Sequence, residues 1–300
     1  MWKRDYMHRD QILQMIRDRG LKSVKFPDKV GFSVKNKLLT IEVPLCGVIK
    51  NMQHDESAFE GWALCVKSYL NDIIDNVDII WNVDSALAKN CHYKRFLYRV
   101  WNFISIYEWA KCSCHTFAGK STNGWIANIP AGSAKETAAH KEAALEREYI
   151  NHHSGESDVM GQQLPVGLFN GKVCRQNRET PGSYLDIWAI KDDTLHIFEL
   201  KDARNKKIGI ISELMFYVNV MNDIMKHRIR YANGADKVDY RGFDSLFKAY
   251  QNQSINRVIG HFLADAIHTF ITPQVIQLMN DSSALRGERI NYQHTLVGID

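Results

Sequence analysis

The 300-residue chain has no apolar run long enough to cross a bilayer. Its opening residues place Lys3, Arg4 and Asp5 where a secretory leader needs a hydrophobic core. A cytoplasmic location without a membrane partner is the expectation. Internal repeats and low-complexity tails are missing, as are the Gly-rich phosphate loop of ATPases and the dinucleotide fingerprint. Any coupling to ATP must then come from another chain. Cysteine is sparse at six residues, and Cys112-Ser-Cys114-His115, with Cys91-His92 upstream, lacks the Cys-x-x-Cys knuckle of zinc sites. These cysteines, with Cys46, Cys65 and Cys174, are expected to be reduced and structural. Charge of one sign is scarcely in excess: 38 basic against 34 acidic residues leave a net +4, which permits nucleic-acid binding without demanding it. Local basic clusters therefore matter more than the total.

What is present is an ordinary globular composition, 45% hydrophobic and 24% charged, in a chain long enough for two cores. The most compact chemistry lies in Asp186-Ile-Trp-Ala-Ile-Lys-Asp-Asp-Thr-Leu-His-Ile-Phe-Glu199-Leu-Lys201. Alternating apolar residues predict a strand over 184–190, a polar turn at Lys191, Asp192 and Asp193, and a second strand over 195–201. Glu199 and Lys201 then share one face with Leu195 and Ile197, while Phe198 faces the other side and needs a covering helix. Asp186 falls on the neighbouring strand, near Glu199. Two carboxylates with a backbone carbonyl, here that of Leu200, are hard ligands suited to Mg²⁺ or Mn²⁺. Such an ion polarises a scissile phosphate and activates water, with Lys201 positioning the attack. The competing reading is an ordinary charged strand edge, against which stands the core-type character of the surrounding residues.

These residues resemble the PD-(D/E)XK nuclease superfamily, the restriction-endonuclease-like fold. The resemblance assigns Asp186 and the acidic-x-Lys triplet Glu199-Leu200-Lys201 to the active core, although Leu185 stands where the motif has Pro. Glu213-Leu-Met-Phe-Tyr217 is similar to the Gln-x-x-x-Tyr element of exonuclease-like and phage-defence branches, with Glu in place of Gln. The resemblance also implies an acidic residue from the preceding helix. Glu142, Glu146 and Glu148 are the candidates there, with Glu146 preferred. A metal-dependent endo- or exodeoxyribonuclease is the implied activity. The alternatives are a ribonuclease using the same site, a noncatalytic nucleic-acid-binding or assembly component, and a soluble α/β protein whose charges are only surface groups.

The fold expected is α/β: a restriction-endonuclease-like core with a mixed central sheet flanked by helices, over 134–300, after a separate α/β or α+β domain over 1–128. That first domain carries no motif tied to a reaction; DNA recognition or oligomerisation are the roles considered. Residues 120–133, with two Gly and one Pro, read as the linker. Ser133 and Glu136 make a capping-box pattern for a helix reaching residue 150. A long helix with a broad apolar stripe is expected over 206–230. Lys172, Arg175 and Arg178 before the hairpin, and Lys226, Arg228 and Arg230 at the C-terminal end of the long helix, are the candidate nucleic-acid contacts. DNA is the preferred partner and RNA the second, with a homodimer or protein partner also open.

Overall fold

The computed structural model describes residues 6–82, 85–114, 122–131, 141–201, 207–281 and 289–297. Ser133, Glu136 and the side chain of Glu142 lie outside the described residues, as does His115. The chain divides into two units. Unit 1 comprises Met1–Lys120, Lys206–Glu213 and His268–Gly287, and unit 2 comprises Ser121–Asn205, Leu214–Ile267 and Glu288–Asp300.

Unit 1 opens with β1 (Tyr6–His8) and α1 (Arg9–Asp18), whose Ile12 and Ile16, four residues apart, are its buried stripe. The backbone N–H of His8 donates to the side chain of Gln11 at 2.9 Å, one half of a capping box. β2 (Gly31–Lys35) and β3 (Leu38–Val43) form a hairpin with Lys35 opposite Leu38. Asn36 and Lys37 between them both have positive φ, as a two-residue turn matched to strand twist requires. After α2 (Leu45–Val48) and α3 (Phe59–Tyr69) come β4 (Asn76–Trp81), α4 (Cys91–Ile106) and β5 (Ala110–Lys111). The sheet runs β1-β2-β3-β4-β5, antiparallel as far as β3 and parallel beyond it. Helix α3 is buried from Phe59 to Val66, including the polar Glu60. Arg99 of α4 meets that carboxylate with Nε at 2.8 Å and with Nη2, and donates to Ser57 Oγ at 3.2 Å. The hydroxyl of Ser212 also donates to Glu60, at 2.7 Å.

Unit 2 begins inside the expected linker. Residues 120–133 contain β6 (Trp125–Ala127), a buried strand and the centre of a small sheet. Then follow α5 (Lys141–His153), β7 (Val159–Pro165), β8 (Leu168–Asn170), β9 (Tyr184–Lys191) and β10 (Thr194–Leu200). Next come α6 (Gly209–Met225), β11 (Arg230–Tyr231), α7 (Phe243–Gln251) and β12 (Arg257–Leu263). α8 (Pro273–Asp281) belongs to unit 1, and β13 (Ile290–Thr295) returns to unit 2. The larger sheet has the order β13-β12-β10-β9-β7. β9 pairs antiparallel with both β7 and β10, whereas β12 runs parallel to β10 and β13.

One face of this sheet is closed by α5. Tyr149 packs with Ile187, Ala189, Phe198, Leu200, Leu263 and Val297, with the Tyr149 and Phe198 rings 5.5 Å apart. Phe198 thus receives the helical cover that its strand position demands. On the other face α6 approaches β12 closely at Gly260, where a Cβ would come within 2.8 Å of Val218 Cγ2. A larger residue there would have to push the Val218 side chain aside. The smaller sheet has the order β11-β6-β8, joining strands far apart in sequence. No helix among the described residues is long and apolar enough to cross a membrane.

Candidate functional site

The hairpin forms where its alternation places it, with Lys191 paired to Thr194 and Asp192 in the left-handed region at the turn. Ladder pairing extends to Phe198 opposite Ile187, so the next positions along the two strands are Glu199 and Asp186. The sequence therefore brings the expected acids to adjacent strands. Their side chains are then taken up by the chain itself. Glu199, 2% exposed, forms a salt bridge with the buried ammonium of Lys201. Asp186 Oδ2 accepts the backbone N–H of Leu200 at 3.2 Å. Either charge buried alone would be costly, so the two are held here as a pair.

Glu146, the acid preferred on the upstream helix, is also buried, and Gln163 Nε2 donates to its two carboxylate oxygens at 3.0 and 2.8 Å. Gln163 lies between Gln162, paired with Ile187, and Leu164, paired with Leu185, and has φ of +52°. A non-glycine residue in the left-handed region inside a strand carries a conformational cost, here offset by the bidentate amide contact. Glu213 accepts a hydrogen bond from Gln53 at 2.5 Å, and Tyr217 is buried.

Among the described residues, no group of three or more His, Cys, Asp or Glu side chains could hold a metal ion. The Mg²⁺ or Mn²⁺ site expected at Asp186, Glu199 and Leu200 is corrected accordingly. With it goes the metal-dependent nuclease, whether acting on DNA or RNA, in which Lys201, Glu146, Glu213 and Tyr217 were to assist. The physical reason is local: Lys201 neutralises Glu199, Gln163 holds Glu146, a backbone amide holds Asp186 and Gln53 holds Glu213.

The six cysteines are free thiols. Cys114 exchanges hydrogen bonds with the backbone of Trp81, accepting from its N–H at 3.1 Å and donating to its carbonyl at 3.2 Å. Burial pushes the Cys112 thiol up to about 12, a setting that disfavours thiolate chemistry.

The basic candidates fare differently from one another. Arg228 is committed to the buried Asp223, with Nε 2.7 Å from Oδ1. Lys226 is exposed just beyond α6. Lys172, Arg175, Arg178 and Arg230 are also exposed, and none of the four is ion-paired with an acidic side chain among the described residues. The small sheet gathers them. Arg230 is the register partner of Ile126, Ile126 of Phe169, and Phe169 bridges Arg178. Register partners project to one face, so Arg230, Ile126, Phe169 and Arg178 form a cross-strand row. The Arg178 guanidinium lies 5.4 Å from the centroid of the Phe169 ring, a cation–π contact. Three inter-strand steps put the two arginine backbones roughly 14 Å apart. Lys172 and Arg175 occupy the turn between β8 and the returning segment, where Asn177 anchors the chain by donating to Asn170 O at 2.7 Å.

Several residues with site-like environments carried no signal in the sequence. Gln163 is one, since nothing links it to Glu146 except folding. Ile126 is another, because β6 lies in a stretch with linker composition. His196 and His261 form a further pair, 2.9 Å between Nδ1 and Nε2, with Thr295 Oγ1 2.9 Å from His261 Nδ1. Comparison with protein-family models, curated proteins and solved structures found no match for this chain.

Proposed function

We propose that this chain binds the phosphate backbone of a nucleic acid through the small sheet of unit 2, with DNA the first candidate. One observation carries the reading: Arg230 of β11 and Arg178, which bridges β8 from the segment after it, lie 52 positions apart in the numbering and are brought into one row by Ile126 and Phe169. Both are exposed and neither is spent on a carboxylate, unlike Arg99, Lys201 and Arg228. Arginine forks in a fixed row suit phosphate oxygens, and such contacts position a strand without reading its bases. Lys172 and Arg175 extend the same positive edge. A restriction-endonuclease-like core is the accompanying reading of the larger sheet. It is supported by the order of helix, antiparallel strands, helix and parallel strand from α5 through β12.

The test is salt-dependent binding of a fluorescent oligonucleotide, followed by anisotropy. Neutralising about four phosphates should give a log–log salt slope near −3 to −4. Arg178→Ala and Arg230→Ala should each lower affinity across all sequences and reduce the slope by about one. Loss of neither affinity nor slope in the double variant would exclude the row as the contact surface.

A further inference from the structure

We infer that the strand bound is single, with Tyr184 serving as a platform on which one base stacks; this rests on the backbone-binding reading above. Tyr184 is 55% exposed, the most exposed large aromatic of unit 2. Its place is set by the same segment that delivers Arg178. Glu179 N–H donates to Leu168 O at 2.8 Å, Leu168 N–H donates to Thr180 Oγ1 at 3.0 Å, and Val166 N–H donates to Ser183 O at 2.9 Å. Residues 178–184 are thereby laid along 165–169, with Arg178 against Phe169 at one end and Tyr184 paired with Pro165 at the other.

Their partners Phe169 and Pro165 are four residues apart, a separation of at most about 14 Å along extended chain, so Arg178 and Tyr184 are within reach of one short stretch of nucleic acid. Val173, 42% exposed, lies between the cations Lys172 and Arg175 and continues the interleaving of apolar and basic groups.

A duplex keeps its base faces covered by neighbouring base pairs and presents mainly phosphate and groove edges. An exposed, backbone-fixed tyrosine gains little from that surface. A single strand offers unstacked bases, and a ring beside a row of cations binds them without sequence preference. Because the ring contributes no charge, its removal should lower affinity while leaving the salt dependence unchanged. The arginine substitutions should alter both. That contrast separates a stacking platform from a general surface effect.

The experiment measures binding of the full chain to labelled oligothymidylate and oligouridylate of about twelve nucleotides, within the range of single-strand site sizes, and to a duplex of the same length. Single strands should bind at least about ten-fold tighter than duplex. Tyr184→Ala should weaken single-strand binding by about 5- to 150-fold, the range for one stacked base, with an unchanged salt slope. Tyr184→Phe, which keeps the ring, should stay within about two-fold of the wild type. Equal or tighter duplex binding, or unaltered single-strand affinity in Tyr184→Ala, would overturn the single-strand inference and leave backbone binding standing. Failure of the wild type to bind any of the three at low salt would overturn the reading beneath it as well.

Discussion

Replacing Lys201 with Met should destabilise the protein by about 3–5 kcal/mol, the range for removing one member of a buried ion pair. The side chains are of similar length, so methionine fills the space of the lysine stem and little of the loss comes from a cavity. What changes is that Glu199, 2% exposed, loses the ammonium bonded to it. At an effective dielectric near 20, opposite charges in contact attract by about 4 kcal/mol, the same order as the expected loss. The companion variant Glu199→Gln/Lys201→Met removes both charges and should recover most of it, since replacing a buried pair whole is far less costly than breaking it. Urea unfolding of the wild type, both single variants and the double variant gives the coupling energy directly, provided the denaturant slopes agree. A Lys201→Met loss below about 1 kcal/mol, with an unchanged slope, would place the pair in effectively aqueous surroundings and refute its structural role.

Two further predictions concern buried groups of unit 2. Burial, reinforced by His196, lowers the His261 imidazole to about 3, so it stays neutral in the folded chain while its unfolded counterpart takes up a proton below about 6.5. Its contribution is intact above that pH and is lost as pH falls toward 3, by up to about 1.4 kcal/mol per pH unit. His261→Gln should flatten the stability profile between pH 7 and 5 relative to wild type, and parallel profiles would rule the histidine out. Tyr231 has a buried hydroxyl with no hydrogen-bond partner among the described residues, set against Phe243, Phe247 and Tyr250. Tyr231→Phe should raise stability by about 1 kcal/mol by removing that desolvated group. A measurable loss in thermal unfolding would show that the hydroxyl is satisfied after all.

Much of the secondary structure was legible because it rests on local periodicity. The β9–β10 hairpin turns at Asp192 and Asp193 as its polar pair indicates. The α6 stripe marks a real helix, though one buried even at Ser212, Asn219, Asn222 and Asp223. β6 was not legible, since Trp125-Ile-Ala sits between Gly124 and Pro130 and only its pairing with β8 and β11 makes it a strand. At the acidic cluster the strand face of Glu199 and Lys201 could be read from spacing, but not that the two side chains would turn toward each other. Likewise Glu146 could be picked out as a buried acid only once Gln163, seventeen residues later, supplied the amide that makes its burial tolerable. Positions on faces follow from the sequence; the long-range partners that settle the chemistry do not.

The composition of unit 1 has a consequence for synthesis. Its N-terminal strands and helices also use residues from the region after 267: the Tyr107 hydroxyl donates to Met279 O at 3.1 Å, and the rings of Tyr69 and Phe270 meet edge-on at 5.7 Å. These partners emerge from the ribosome roughly 150 residues after the first segment is complete, a delay on the order of ten seconds at about 5–20 residues per second. During that interval the nascent unit 1 must wait with its Phe270 and Met279 contacts unmade, until α8 has been synthesised.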